Sequence, residues 1–329
     1  MYLDRVDRGG IMAKLKIFLK TNKMIFFVSF VILFIISFSF VKYFKDNFQY
    51  ADGFYKLEEK CFSEKASDYK FCTQFSSEKE MKAFFKDNNP KTRFANLDAI
   101  TLTCEIVENE LFSILQLLAP LLVIISVVGA VNGMFNTGMF KYYLTRVNYR
   151  TFLKTTFKKV FKIALIIPCS LIIIFIISCL ITKFNFNVSE STKIIAVYSK
   201  YKYNNFLLYG IVICVLQYLM SIVYGSIALF SSTKNKNPII SVIVSYVIFL
   251  LEYLFVYIGV YVIIINKILG FKDLTDYFNI TGYWFFDENI NYLLLILIAS
   301  LIAVFNFIFI YYKLINKEKV VMEYEKQIS

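Results

Sequence analysis

The sequence predicts an all-α polytopic membrane protein with six transmembrane helices, a cytoplasmic amphipathic connector between spans two and three, and a small external domain between spans one and two. The 329 residues are 58% hydrophobic with a mean hydropathy of +0.60, more apolar than a soluble chain of this length requires. The apolar residues form six runs long enough to cross a bilayer. The net charge of +12 lies between these runs, which is typical of membrane topology and not of nucleic-acid binding.

The first part of the chain joins a basic segment to the first apolar run. Residues 1–24 hold six basic residues, with apolar residues near helical spacing, and predict an interfacial helix. Residues 25–43 predict the first span, because no small-residue cleavage site follows this run. Residues 44–110 are polar, with 10 basic and 13 acidic residues, and predict the external domain.

A local helix signal lies inside this polar segment. Ser77 followed by Glu80 is a capping box, which predicts a helix from Glu78 to Lys86. The turn residues at 88–90, Asn-Asn-Pro, are expected to end it.

The cysteines of the polar segment predict one disulfide. Cys61, Cys72 and Cys104 lie there without metal-binding spacing, and three cysteines cannot all pair within one chain. Cys61 with Cys72 is the favoured bridge if the segment faces an oxidising space. A domain this small gains stability from such a bridge.

The second span is predicted at 111–131 and the connector at 132–162. Between residues 133 and 162 there are seven basic residues and no acidic ones. On a helix, five of these basic residues form one stripe and seven apolar residues form two more. The basic stripe is Arg146, Arg150, Lys154, Lys158 and Lys162; the apolar stripes are Phe140, Leu144 and Val147, then Leu153, Phe157, Val160 and Phe161. Two interpretations stay open: a positively charged inside loop, or a docking element for a cytoplasmic partner.

The rest of the chain alternates apolar runs with short polar segments. Asn237 suits a helix N-cap and Pro238 the first helical position. The four segments assigned to the cytoplasm hold six, seven, two and four basic residues, so both termini are predicted to be cytoplasmic, although 183–204 carries four Lys on the outer side. The predicted segments are spans 163–182, 205–230, 239–266 and 290–312, the external loop 183–204, the cytoplasmic turn 231–238, the external interfacial segment 267–289 and the cytoplasmic tail 313–329.

Three polar residues inside predicted spans are candidates for a pathway. Glu252 lies mid-way through the fifth span, where an ionisable group is costly unless it is paired, protonated or facing water. Gln116 and Gln217 are its candidate partners, since no span has a central Lys or Arg. A coupling role and a structural hydrogen bond between helices both remain open for Glu252. Gly129 and Gly133 have the G-x-x-x-G spacing of close helix packing.

The sequence lacks several catalytic residue patterns. There is no His, which excludes His-based triads and His-ligated zinc sites. There is no G-x-x-x-x-G-K-[ST] motif, so we expect no ATP binding through a P-loop. We therefore predict no enzyme activity, no cofactor, no metal and no catalytic residue in this chain.

The layout resembles the permease subunit of a bacterial ABC-2 type ABC transporter, over nearly the whole chain. The local likeness is Asn136-Thr137-Gly138-Met139-Phe140-Lys141-Tyr142-Tyr143-Leu144-Thr145-Arg146, followed by Tyr149-Arg150-Thr151-Phe152-Leu153. These segments match the Gly and the amphipathic helix of the family, but its acidic residue is missing and Met139 stands in place of a Thr. The resemblance implies that a separate cytoplasmic ATPase contacts Lys141, Leu144, Arg146, Val147 and Arg150.

The resemblance also implies partners and a place in the cell. Two permease halves, identical or different, make one such transporter, so a second permease and membrane lipids are expected partners. The composition indicates a bacterial source, and the location is the cytoplasmic membrane. The apolar spans favour an amphipathic substrate such as a lipid, a peptide or a drug-like compound. The alternative is a non-transporting membrane protein, with an immunity or sensor role, that acts through its external domain; a membrane enzyme is the weakest reading.

Overall fold

The computed structural model describes residues 23–63, 69–75, 77–87, 89–91, 97–136, 148–187, 206–235, 237–270, 274–278 and 290–315. All regular structure within these ranges is helical. Six helical stretches are long and apolar enough to cross a membrane, which confirms the predicted all-α class and makes the chain a multi-pass membrane protein. The helices are α1 (Lys23–Cys61), α2 (Glu78–Asp87), α3 (Ala99–Val107), α4 (Glu110–Asn136), α5 (Tyr149–Ile163), α6 (Ile166–Ile181), α7 (Phe206–Lys234), α8 (Pro238–Leu254), a π-helical segment (Phe255–Ile268), α9 (Thr275–Phe278) and α10 (Tyr292–Ile315).

Three stretches differ from the predicted bounds. Helix α1 does not stop near residue 43 but runs on to Cys61, so its 39 residues extend about 58 Å, roughly twice the hydrocarbon thickness. The fifth stretch combines α8 with the π-helical segment. The third combines α5 and α6, with an interruption at Ala164 and Leu165. Pro168 explains this interruption, because its ring clashes with the carbonyl of the residue four positions earlier.

The described residues form two compact units. The larger unit comprises 23–33, 114–172 and 206–315, and the smaller comprises 34–113 and 173–187. In the larger unit α7 packs against α5, α8 and α10. The faces that meet there carry many small side chains, such as Ser226 and Ala228 on α7 and Ala299 and Ala303 on α10. Small residues let membrane helices approach closely, and packing of this kind drives their association in lipid.

Helix α5 has one face packed within the larger unit and one face exposed. Asn148 caps it by accepting from the Arg150 N–H, and the buried side holds apolar residues such as Phe152 and Val160. Its Tyr149 hydroxyl donates to the carbonyl of Leu314 in α10. The apolar face of α5 therefore packs on the chain itself and does not lie free on a membrane surface.

The N-cap and the first-turn proline that the sequence predicts for α8 are both present. Asn237 accepts from the Ile239 N–H at 2.9 Å and starts α8 with Pro238 in its first turn. Beside it, the amide of Asn132 on α4 lies 3.3 Å from the Ser241 hydroxyl. This contact joins the first turn of α8 to α4.

The two glycines of the G-x-x-x-G pattern are in α4, and Gly129 packs within the chain. A Cβ on Gly129 would lie 2.5 Å from the Cβ and Cγ atoms of Met24 in α1. Gly129 thus permits close packing of α1 on α4, an intramolecular use of this position. The side chain position of residue 133 lies outside the described part of the structure.

The smaller unit has a core of its own around a disulfide. Cys61 and Cys72, the pair chosen from the sequence, are bonded to each other, and Phe54, Met81 and Phe85 pack with them. Phe54 and Phe85 meet edge to face with ring centroids 5.2 Å apart, an arrangement that aromatic quadrupoles favour.

Helix α2 in this unit begins as the capping box predicts. The Glu80 N–H donates to the Ser77 hydroxyl at 3.2 Å, and the helix ends at Asp87. Lys82 donates to Glu78 four residues away, which lowers the pKa of the Glu78 carboxyl.

Helix α3 is an apolar helix that the sequence analysis did not separate from the polar segment. Asp98 caps it, accepting from the Thr101 N–H at 2.8 Å and from the Thr101 hydroxyl at 2.6 Å. The Ala99 N–H donates to the Asn185 carbonyl at 2.8 Å, and the Asn185 amide donates to the Leu97 carbonyl. These bonds fasten the start of α3 to the chain that follows α6.

We predict that Gly225→Ala destabilises the larger unit by about 1–3 kcal/mol, because it overpacks a close helix contact. A Cβ there would lie 2.7 Å from Cγ1 of Val160 and 3.4 Å from Cγ2 of Val127, and valine cannot rotate freely to make room. Thermal unfolding in detergent measures the effect. Gly210→Ala in the same helix is the matched control, since no atom lies within 4 Å of its Cβ position. Adding Val160→Ala should recover part of the loss, and equal stability of the two glycine variants would contradict this packing.

We predict that Cys61→Ser and Cys72→Ser each destabilise the smaller unit by about 2–4 kcal/mol, since each removes the same bridge. The double variant should lose no more stability than either single variant. Hydrogen exchange of the α2 amides measures the loss. Cys169→Ser is the control, because Cys169 is a free and exposed cysteine. Additive losses in the double variant would show that the two sulfurs act independently.

Candidate functional site: a carboxyl–amide pair between two helices

Glu252 lies in the middle of the fifth membrane-spanning stretch, Pro238–Ile268. It follows Pro238 by 14 residues of helix, or about 21 Å. An ionisable side chain at such depth is costly, and in membrane proteins it usually faces the bundle interior or a polar path. Glu252 is therefore the starting point for a candidate site.

The buried stripes of α8 and α10 place Glu252 and its partner. On α8 the buried residues are Ser241, Ser245 and Phe249, and Glu252 continues this stripe one turn further along. Asn306 belongs to the buried stripe of α10, which recurs at intervals of three or four residues. Both α8 and α10 pack on α7, which fixes the two stripes near each other.

The side-chain amide of Asn306 donates a hydrogen bond to the carboxyl of Glu252. Its Nδ2 atom lies 2.9 Å from Oε1 and 2.7 Å from Oε2, so one donor serves both carboxyl oxygens. Asn306 is only 7% exposed, whereas Glu252 is half-buried. The other amide atom of Asn306, Oδ1, is buried without a hydrogen-bond partner. A buried unpaired acceptor carries a desolvation cost, so this oxygen has unused capacity for a donor.

The carboxyl of Glu252 has no basic partner among the described ion pairs. In the described helices around it, the basic residues are Lys234 of α7, Lys267 of the π-helical segment and Lys313 of α10. Each lies in the last turn of its own helix, far along the chain from the middle of a span. A carboxyl in apolar surroundings without a cation is expected to take up either a proton or a cationic ligand.

A row of neighbouring aromatic rings begins at Tyr253, the residue after Glu252 in the chain. Tyr253 and Tyr257 have ring centroids 5.9 Å apart, Tyr257 and Tyr261 5.8 Å, and Tyr261 and Phe278 of α9 5.8 Å. In a π-helix each backbone N–H donates to the carbonyl five residues earlier, which widens each turn. Side chains four residues apart therefore lie almost above one another. Tyr253 and Tyr257 are half-exposed, whereas Tyr261 is buried. We call these three residues the tyrosine row.

Of the three predicted pathway residues, only Glu252 is placed in this pair. Gln217 is buried in α7 with 3% exposure, and Gln116 is half-buried in α4. The partner that the structure gives Glu252 is Asn306, which the sequence analysis did not select. The available signal was that Asn306 is the one amide residue inside α10, but nothing in the sequence pairs it with Glu252.

The predicted ATPase-coupling residues fall mostly outside the described ranges. This applies to Lys141, Leu144, Arg146 and Val147, and to the first apolar stripe as a whole. Arg150 is described and exposed at the start of α5. The later members of the basic stripe, Lys154, Lys158 and Lys162, are exposed as well, and of the second apolar stripe Leu153, Phe157 and Val160 are buried while Phe161 is half-buried.

These features define a class of protein: a multi-pass, all-helical membrane protein with a carboxyl–amide pair within its spans. Comparison of the chain with protein-family models, with curated proteins and with solved structures finds no match. The functional argument therefore depends on the residues of this chain alone.

We predict that Asn306→Leu destabilises the protein by about 1–3 kcal/mol, because it leaves the Glu252 carboxyl without its donor. Glu252→Gln should stay near wild type, since an amide can still accept from Asn306. The double variant Glu252→Leu with Asn306→Leu should regain stability, as a well-packed apolar pair replaces a buried polar one. Thermal unfolding of the wild type, Glu252→Leu, Asn306→Leu and the double variant gives a coupling energy, expected at about 0.6–2 kcal/mol. Phe305→Leu, at an exposed neighbour on α10, is the control, and strict additivity would mean that the pair contributes nothing.

Proposed function

We propose that this chain is the membrane-spanning permease subunit of a bacterial ABC-2 type exporter. A separate cytoplasmic ATPase subunit supplies the energy, and a second permease, identical or different, completes the transporter. The substrate is an amphipathic lipid, peptide or drug-like compound that crosses the cytoplasmic membrane. The observation that carries the proposal is the exposed basic side of α5, a helix that follows the second span and forms the first part of the third membrane-spanning stretch.

The burial pattern of α5 supports an outward-facing role for its charges. Its apolar side packs on the chain's own helices, so the basic side is what α5 presents to its surroundings. The stripe combines Arg150 with Lys154, Lys158 and Lys162, and Arg in particular suits recognition of carboxylates at a protein surface. An ATPase with an acidic groove matches this stripe, and anionic headgroups at the inner surface match it too.

The proposed orientation places both termini and the connector in the cytoplasm. Basic residues outnumber acidic ones in the four segments assigned to that side. The disulfide between Cys61 and Cys72 supports an external position for residues 44–110, since disulfides persist in oxidising compartments.

The alternative is a non-transporting membrane protein that acts through its external domain, residues 44–110, in an immunity or sensor role. The observation in its favour is that this segment contains a separate disulfide-linked aromatic core. Purification in mild detergent separates the two proposals. An ATPase that co-purifies supports the permease, and its absence at native expression favours the alternative.

We predict that Leu144→Ala with Val147→Ala lowers ATPase co-purification about tenfold or more, since two apolar contacts of a docking surface are removed. The protein should still insert into the membrane. The matched control is Leu297→Ala with Val304→Ala, the same residue types at exposed positions of α10. If co-purification and substrate-stimulated ATP hydrolysis both survive the connector variant, the docking role is wrong.

A further inference from the structure

The carboxyl–amide pair has more hydrogen-bond acceptors than donors. The two carboxyl oxygens of Glu252 share a single donor atom, Nδ2 of Asn306, while Oδ1 of Asn306 has no partner. A protonated carboxyl facing an amide would instead form a cyclic pair, with its O–H donating to the amide oxygen and the amide donating back. The observed arrangement is that of an acceptor-only carboxylate beside a second, unused acceptor. Three acceptor oxygens thus stand beside one donor atom, and a group with positive charge and several donors would complement them.

A primary ammonium group has the complementary chemistry. It carries one positive charge and three N–H donors, enough to reach the carboxylate and the unpaired amide oxygen together. A quaternary ammonium has the charge without the donors, and an alcohol has a donor without the charge. Inorganic cations also fit the oxygens, but only an organic cation can in addition use the aromatic rings that follow Glu252 in the chain.

The tyrosine row offers a place for the rest of such a molecule. Tyr253 follows Glu252 directly in the chain, and the half-exposed rings of Tyr253 and Tyr257 continue along the π-helical segment. Aromatic faces attract ammonium groups and pack well against hydrocarbon chains. Because neighbouring residues leave a helix about 100° apart, a ligand with its amine at Glu252 reaches these rings by turning partly around the helix.

We propose that Glu252 and Asn306 form a binding site for the protonated primary amine of an amphipathic molecule, with the tyrosine row contacting its apolar part. This deepens the proposed function and rests on it in one respect: it names the class of the exported substrate. The arrangement in the structure is that of the charged carboxylate. Between ligands the carboxyl carries a proton, because an unpaired carboxylate in hydrocarbon is costly, and its O–H then donates to the amide oxygen as in the cyclic pair. The ammonium displaces that proton, so occupied and empty sites differ in the chemical state of Glu252.

Carbodiimide labelling in lipid nanodiscs tests this proposal. Dicyclohexylcarbodiimide reacts with a protonated carboxyl: the acid oxygen bonds to the central carbon, the proton moves to nitrogen, and rearrangement retains the whole reagent as an N-acylurea. Mass spectrometry measures every modified form of the peptide that contains Glu252: the N-acylurea and, with decylammonium, the decylamide that forms when the free amine displaces dicyclohexylurea. The labelling rate is the sum of the two, so capture by the amine is not counted as protection. The probes are decylammonium, decyltrimethylammonium, decanol and sodium chloride, used with the full-length protein.

We expect Glu252 to be labelled, and decylammonium to slow the labelling about tenfold more than decyltrimethylammonium does, since only the primary amine donates hydrogen bonds. Decanol and sodium chloride should have little effect. Glu252→Gln should abolish labelling of this peptide, which assigns the signal. Asn306→Leu should keep the labelling but remove most of the preference for the primary amine, an effect that a merely structural role of Asn306 does not produce.

Several results would overturn the proposal. Equal protection by the two ammonium probes removes the donor requirement, and equal protection by decanol shows a general effect on the bilayer. Protection by sodium chloride alone indicates an inorganic cation site, and absence of labelling in the wild type means that the carboxyl is not reachable.

If Asn306→Leu does not fold, Asn306→Ser is used in its place, since it shortens the side chain and removes the amide. The assay contains no ATPase, so its failure leaves the subunit assignment standing, and loss of ATPase co-purification leaves the labelling result unchanged.

Discussion

Close packing around α7 is the constraint on which the rest of the larger unit depends. Lipid tails are as apolar as leucine, so helices inside a bilayer gain little from hiding apolar surface from one another. What holds them is van der Waals contact and a few hydrogen bonds, and both require close approach. Helix α7 meets α5, α8 and α10 through faces with many small residues. The positions of Glu252 and Asn306 are thus set by a helix to which neither residue belongs.

The same packing gives α5 two different surfaces. Its apolar side contacts α7 and the aromatic residues of α10, as where the rings of Phe157 and Phe307 meet edge to face at 4.8 Å. Its basic side faces outward. A partner that pulls or pushes on the basic side therefore acts on α7 through direct contacts. In the proposed transporter, these contacts are the packed route from the ATPase to the helices that carry the carboxyl–amide pair.

Much of the fold could be predicted because it depends on local signals. The six spans follow from the length of apolar runs, and the starts of α2 and α8 follow from the caps at Ser77 and Asn237. The continuation of α1 to Cys61 and the burial of α3 could not be predicted, since both depend on contacts distant in sequence. The pairing of Glu252 with Asn306 was missed for the same reason, because 54 residues separate them. Periodicity describes one helix at a time and does not say which stripes will meet.

The close contact at Gly225 limits how this sequence can diverge. The space beside Gly225 is already filled by Val160 and Val127, so the combined side-chain volume at these three positions has little room to grow. A larger residue at 225 in a related chain would require a smaller one at 160 or 127 to accompany it. The lipid-facing residues of α8 and α10 are under no such restriction and can exchange one large apolar side chain for another. Substitutions in related sequences should therefore be correlated at the contacts between these helices and independent of one another on the surfaces that meet lipid.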